Sequence, residues 1–181
     1  MGLSTVMAST IILYVMLVVI GAVAGVAITA LKGLSKGLNA CMSILESDRI
    51  ELRGVSYNEA LLEVRLNATN LGSRVIYDYP HFDVIVYYTN ILGGSVVYYA
   101  PFRGGYLDYL GYHPPGWYVY GVYDSTGSLH EYTSSTPRYW DPSTTLEVVV
   151  VLPSTPAPGS LVTVTLATPR GGRVMASMTW G

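Results

Sequence analysis

Two hydrophobic periods divide the chain. Residues 1–31, MGLSTVMASTIILYVMLVVIGAVAGVAITAL, carry no charged side chain, and from Val6 to Leu31 apolar residues occupy every face of a helix instead of one stripe. At about 1.5 Å per residue, ~31 helical residues span ~46 Å, longer than the ~30 Å hydrocarbon core of a bilayer. A helix apolar all round needs lipid, a large protein core or copies of itself around it. A chain of 181 residues cannot enclose such a helix and also build the remainder, so lipid or copies are left. The helix is expected from near Ser4 to about Ser47. Past Leu31 the pattern becomes one-sided, with Leu31, Leu34, Leu38, Met42 and Leu45 three to four apart, and that face is expected to lie against the following domain. Glu46, Asp48 and Arg49 mark the exit.

From residue 49 onward the period is two. Strands are expected at 49–55 and 59–66, joined by a turn at Ser56-Tyr57-Asn58, then at 75–79, 82–89 and 95–101. Residues 67–74 are expected to form an Asn- and Gly-rich turn, and 102–115, rich in Gly and Pro, an irregular loop. A strand at 116–123 precedes a long loop, Asp124 to Pro142, with a hairpin tip at Asp124-Ser125-Thr126-Gly127. Strands at 144–152, 160–168 and 172–180 close the chain. Within 82–89, Phe82, Val84, Val86 and Tyr88 alternate with Asp83, Ile85, Tyr87 and Thr89, so the first set is expected to face the core. The fold class is α+β: a long N-terminal hydrophobic helix followed by an antiparallel, Ig-like β-sandwich of about seven to nine strands. The expected domains are 1–48, the helix, and 49–181, the head.

Composition narrows the function. The chain is 50% hydrophobic and 12% charged with net charge −2, so it offers no basic surface and nucleic acid is not an expected partner. Lysine occurs only at Lys32 and Lys36, glutamine is absent, and the head's eight basic side chains are all arginine. This usage points toward a thermophile. Cys41 is the only cysteine, which excludes an intrachain disulfide, and it is expected to pack as a small apolar residue near the helix end.

Candidate chemistry is sparse. His81, His113 and His130 are scattered, and Asp78, His81 and Asp83 lack the spacing of a metal site across the kink at Pro80. The glycine pairs Gly104-Gly105 and Gly171-Gly172 lack the spacing and following helix of a phosphate cradle, and no G-x-S-x-G occurs. Neither an enzyme nor a cofactor is expected. Tyrosine is the unusual feature: 14 of 16 lie between Tyr77 and Tyr139. Adjacent pairs, Tyr87-Tyr88 and Tyr98-Tyr99, place one ring on each sheet face. Tyrosine offers large contact area, stiff torsions and a polar tip, so Tyr87, Tyr98, Tyr99, Tyr109, Trp117 and Tyr120 are expected to make subunit contacts. Asn67-Ala68-Thr69 is the glycosylation candidate, expected on an exposed turn.

The helix carries Gly21-x-x-x-Gly25 and Gly33-x-x-x-Gly37 among Ala22, Ala24, Ala27 and Ala30, a spacing that lets neighbouring helix backbones approach closely. Polymer contacts are expected from Ile11, Ile12, Val15, Val19, Gly21, Gly25 and Ile28. The opening MGLSTVMASTIILYVMLVVIGAVAGV and the segment LEVRLNATNLGS (62–73), with Asn70-Leu71-Gly72, resemble archaeal type IV pilin-like proteins. That group includes archaellins, adhesion pilins and the accessory archaellum proteins FlaF and FlaG. The chain departs from bacterial pilins at Thr5, where those have a nearby glutamate. The resemblance implies an extracellular filament for adhesion or motility, a homopolymer with parallel helices inside and sandwiches outside. It implies residence in the membrane before assembly, and contact with the cell-wall layer or surface glycans. Lys32 and Lys36 alone would place the head in the cytoplasm, whereas the sequon and tyrosines suit the outside. A short basic leader removed ahead of Met1 reconciles the two. The alternative is a membrane-anchored archaellum accessory protein with no cleaved leader, whose β-sandwich binds the cell-wall layer or a motor.

Overall fold

The computed structural model describes residues 2–45, 48–109 and 111–181. It divides into two compact units, Met1–Glu46 and Ser47–Gly181. The first is a single helix, α1 (Gly2–Leu45), which begins two residues earlier than its expected start at Ser4. Its run of Val, Ile and Thr has modest helix propensity in water, but in an apolar setting every backbone N–H and C=O must be paired within the segment, and that favours helix. Thr29 donates its hydroxyl to the Gly25 carbonyl at 2.9 Å, so this side chain adds no unpaired donor. The apolar span Leu13–Lys36 is long enough to cross a membrane.

Among its described residues the second unit contains ten strands: β1 (Ile50–Asn58), β2 (Glu63–Asn70), β3 (Asp83–Thr89), β4 (Ser95–Ala100), β5 (Phe102–Gly105), β6 (Gly116–Tyr123), β7 (Leu129–Glu131), β8 (Thr145–Val151), β9 (Leu161–Ala167) and β10 (Arg173–Thr179). They form a six-stranded sheet ordered β1-β2-β8-β6-β5, with β7 beside β6, and a four-stranded sheet ordered β10-β9-β3-β4. All pairs are antiparallel except β5 with β6. The expected α+β architecture, helix then sandwich, is the one observed.

Alternation sets the core. Val64, Leu66 and Ala68 of β2, Leu146, Val148 and Val150 of β8, and Trp117, Val119 and Val122 of β6 face Val84, Val86 and Tyr88 of β3, Val162, Val164 and Leu166 of β9, and Val174 and Ala176 of β10. Phe82, Val84, Val86 and Tyr88 are buried as expected, and Tyr87 points out. A register shift between Val119 and Gly121 keeps both Val119 and Val122 inward despite their odd spacing. At Gly121 a Cβ would stand 2.7 Å from the His130 carbonyl oxygen, so the β6–β7 hairpin closes only over glycine.

Five expectations about loops and strands need correction, the first being the loop Asp124 to Pro142, which contains β7 paired with β6. Residues 75–79 are not a strand. Pro80 removes a ladder donor and the chain turns through a 3-10 turn, Tyr79–His81, leaving one bridge, Ile76 to Trp140. The turn expected at 56–58 lies further on, because β1 runs to Asn58 and Leu62 N–H donates to the Glu59 carbonyl at 3.2 Å. Residues 102–115 are not irregular throughout. The Pro101 carbonyl accepts from Trp117 N–H at 2.9 Å, so the chain leaves β3 and crosses to the other sheet as β5. Finally, 67–70 belong to β2, and the turn starts only after Asn70.

Asn70 explains the Asn-x-Gly sequence. Wholly buried, it accepts from Gly72 N–H at 2.9 Å and donates to the carbonyls of Arg74 at 2.7 Å and Trp140 at 3.0 Å. One side chain thereby ties three loop segments together. The tip expected at 124–127 is present: Gly127 N–H donates to the Asp124 carbonyl at 3.0 Å, and the Asp124 carboxylate accepts from Thr126 and Ser128 N–H. The Thr126 hydroxyl, then His130 at 3.1 Å, and the backbone donors hold the Asp124 carboxyl far below its ordinary range.

Candidate interaction surfaces

Two surfaces follow from this fold. The first is α1. Leu13, Val15, Leu17, Val19, Val26 and Ile28 are each more than half exposed, and the apolar span has none of its length buried. Gly21 and Gly25 are exposed, with nothing within 4 Å of a Cβ placed on either. Ile11 and Ile12 are helical, and their side chains lie outside the described residues, as do those of Leu38, Cys41, Met42 and Leu45. Lys32 and Lys36 are exposed.

The second is the outer face of the six-stranded sheet, where Glu63, Arg65 and Glu147 stand on adjacent strands. Asn67, the register partner of Glu147 in the β2–β8 pair, shares this face with Arg65. Arg65 donates to Glu147 Oε1 at 3.1 Å and to Glu63 Oε2 at 3.4 Å. The Tyr106 hydroxyl donates to Glu63 Oε1 at 2.5 Å and the Tyr123 hydroxyl to Glu147 Oε2 at 2.7 Å. The guanidinium sits 5.6 Å from the Tyr106 ring centre and 5.2 Å from that of Tyr120, a cation–π contact on two sides. Burial alone would lower the Arg65 pKa, but the carboxylates of Glu147 and Glu63 hold it above its ordinary value.

Around this centre Tyr106, Tyr109, Tyr118 and His113 form an aromatic layer. His113 stacks on Tyr106 at 3.9 Å and donates from Nε2 to the Tyr106 carbonyl oxygen at 2.9 Å, while Tyr109 meets Tyr118 edge-on at 5.3 Å. The layer covers Val149 and Val151, so β8 is buried on both faces. Burial, then its bond to Glu63, pushes the Tyr106 pKa up to about 12, burial pushes Tyr118 up to about 12, and the bond to Glu147 pushes Tyr123 up to about 12. Between the ordinary value near 10 and 12, the folded state therefore binds more protons than the unfolded chain. Stability from these groups is complete below pH ~10 and declines as pH rises through the folded values. Alkaline titration should show phenolate absorbance from these three tyrosines rising only as near-ultraviolet dichroism is lost. Ionisation with the fold intact near pH 10 would contradict it.

The expected interface aromatics divide. Tyr87 and Tyr99 are about half exposed on the outer face of the four-stranded sheet. Tyr98, Tyr109 and Tyr120 are half-buried, the last two within the aromatic layer. Trp117 is corrected: at 0% exposure it lies in the core, 4.6 Å from the Phe102 ring, and touches no surface. The glycosylation expectation is also corrected. Asn67 is half-buried in mid-strand, paired with Gly54 on one side and Glu147 on the other, while the Thr69 hydroxyl shares a 2.8 Å bond with Thr145. In the folded protein this sequon is not presented on an exposed turn. Asp78 bonds His81 at 2.6 Å, and Asp83 instead accepts from Tyr99. Among the described residues no three His, Cys, Asp or Glu are grouped to hold a metal.

Sequence comparison gives nothing further: no family model and no curated protein matches the chain. Solved structures do. The archaeal flagellum of Methanospirillum hungatei strain JF1 aligns over 100% of this chain and 94% of its own, at 12% identity and a TM-score of 0.51. The chain has the archaeal type IV pilin-like fold. The archaellum periplasmic stator complex of FlaF and FlaG from Sulfolobus acidocaldarius aligns over 72% of this chain and 88% of its own, at 15% identity and a TM-score of 0.47. FlaG from the same organism aligns over 72% and 99%, at 15% and 0.46. In this pilin-like chain two sequence signals point to the Glu63–Arg65–Glu147 centre. Glu63 and Arg65 share a strand face, and Glu147 is the lone acid in TLEVVVV, a strand too apolar to leave a carboxylate unpaired.

Proposed function

We propose that this chain is a structural subunit of an extracellular archaeal type IV-like filament, related to the archaellum and polymerised through α1. One observation carries the reading: among the described residues from Leu13 to Leu31, α1 is apolar and exposed on every face. Out of lipid, such helices stay dry only against copies of themselves. At ~25 cal/mol per Å², burying on the order of a thousand Å² per copy contributes tens of kcal/mol before entropy losses. Contacts that do not close on themselves then give a helical polymer. The subunit resides in the membrane before assembly, and its β-sandwich forms the outer wall, where the cell-wall layer or surface glycans are its further partners. Adhesion and motility are both served by such a filament.

A second reading rests on the length of the apolar span. Leu13–Lys36, 24 residues, matches a bilayer at about 1.5 Å per residue, with Lys32 and Lys36 at its end. On this reading the chain is a membrane-anchored accessory protein of the archaellum. Shearing cells and imaging the released filaments by electron microscopy, with peptide mapping, separates the two. Peptides from both α1 and the β-sandwich in purified filaments are expected. Finding the chain only as monomers in phospholipid would replace the filament reading with the anchor.

A further inference from the structure

The β3–β4 hairpin is unlike the rest of the head. From Val84 to Phe102 the chain has no charged residue, yet Tyr87, Ile91, Leu92, Val97 and Tyr99 are large and exposed. Asn90 fixes the turn: its N–H donates to the Gly94 carbonyl at 2.9 Å, and its side-chain oxygen accepts from Leu92 and Gly94 N–H. Gly93, at φ +78°, supplies the left-handed residue this bulged turn requires.

The turn also sets which backbone groups of β4 are free. In an antiparallel ladder, bonded pairs alternate with non-bonded ones. Counting from Asn90–Gly94, the bonded pairs are Tyr88–Val96, Val86–Tyr98 and Val84–Ala100 in the β3–β4 register. Consistently, the Thr89 carbonyl points away from β4 and accepts from Ala157 N–H at 2.8 Å. Ser95, Val97 and Tyr99 therefore aim their N–H and C=O groups at the open side of β4, which is the end strand of its sheet.

An open edge of this kind is complemented by another strand. Natural edges are usually blunted by charge, proline or a short length, and β4, SVVYYA, has neither charge nor proline. We propose that β4 pairs antiparallel with β4 of a second copy, about a two-fold axis at Val97. In this register Val97 faces Val97 and each Tyr99 faces the small Ser95 of the other copy. The lack of charge means that identical strands meet without repulsion. Three outward residues on each strand supply paired donors and acceptors, and the four-stranded sheets join into one of eight. Tyr99 arrives with its hydroxyl already bonded to Asp83, so its ring is held on the outer face. This contact is additional to helix packing and does not depend on it. A two-fold contact cannot propagate along a polar filament, so it ties separate filaments to each other.

The test uses full-length chains in detergent, with Cys41→Ser as background. Chains carrying Ser95→Cys are mixed with chains carrying Tyr99→Cys under mild oxidation. Disulfide-linked heterodimer is expected at least about ten-fold faster than when Ser95→Cys is mixed with Met175→Cys, which is equally exposed on β10. Adding Val97→Lys to both chains is expected to lower the rate about ten-fold. Val97→Lys on one and Val97→Glu on the other should restore it. Val97 is 72% exposed, so neither substitution enters the core. Equal rates for Tyr99→Cys and Met175→Cys would overturn the proposal. So would suppression by Val97→Lys that opposite charge fails to rescue, the outcome expected if the hairpin met lipid or an unrelated protein.

Discussion

The double substitution Gly21→Leu, Gly25→Leu is expected to abolish filament assembly while the β-sandwich folds as before. Within the chain itself, a Cβ at either position meets nothing within 4 Å, so the added side chains start out into open space. Replacing two helix-interior glycines even favours the helix, by about 1 kcal/mol each. Any loss must then come from neighbouring molecules, whose backbones can approach only where side chains are small. Two leucines across a tight helix contact hold the backbones apart by several ångströms and remove that packing along a full turn. The readout is the yield of sheared filaments, expected to fall by two orders of magnitude or more, beside near-ultraviolet dichroism of the head, expected to be unchanged. Normal filaments from the double variant would show that α1 does not pack through this face.

Arg65→Met should produce the largest loss of stability in the head domain. It leaves Glu63, 1% exposed, and Glu147, nearly as buried, facing each other with only tyrosine hydroxyls between them and no cation. Removing one partner from a buried charge cluster costs about 3–5 kcal/mol, and the partial exposure of Arg65 places this case near the lower figure. For a domain of this size that is a fall in Tm of roughly 10 °C. Combining Arg65→Met with Glu63→Gln and Glu147→Gln should recover most of the loss, because the uncompensated charge, not the missing volume, is responsible. Thermal unfolding of the three proteins decides the matter. An equal deficit in the triple variant would assign the effect to packing.

Much of the architecture was legible because few residues serve two purposes. Strict alternation in Phe82–Thr89, Leu161–Ala167 and Arg173–Thr179 announces half-buried strands, and the charge-free run to Leu31 announces a helix that its own chain cannot cover. Legibility failed where tertiary partners override local composition. Asn67, Thr69 and Asn70 look like a turn, yet Thr69 bonds Thr145, Asn70 is enclosed, and the residues are held in the ladder between β1 and β8. Val75–Tyr79 has the β-forming composition of a strand, but Pro80 and the anchoring of Ile76 on Trp140 leave it only one bridge. Trp117 reads as a surface residue because aromatic residues cluster around it in the sequence. Its position on the inner face of β6 depends on the corner at Pro101, which no local pattern encodes.

The ties made by Asn70 bear on what can be added to this molecule. Asn70 and Ile76 clamp Trp140, Trp140 Nε1 holds the Thr144 carbonyl at 3.0 Å, and Asp108 grips Ser134 at 2.6 Å, so the long excursion between β7 and β8 is closed at both feet. Beyond those clasps, Pro137 and Arg138 lie in the open. Lengthening a surface loop costs only about 0.6 kcal/mol per doubling. A foreign epitope spliced at that point would ride on the scaffold without disturbing its strands, and on a filament it would be repeated at every subunit, as on a regularly studded cable.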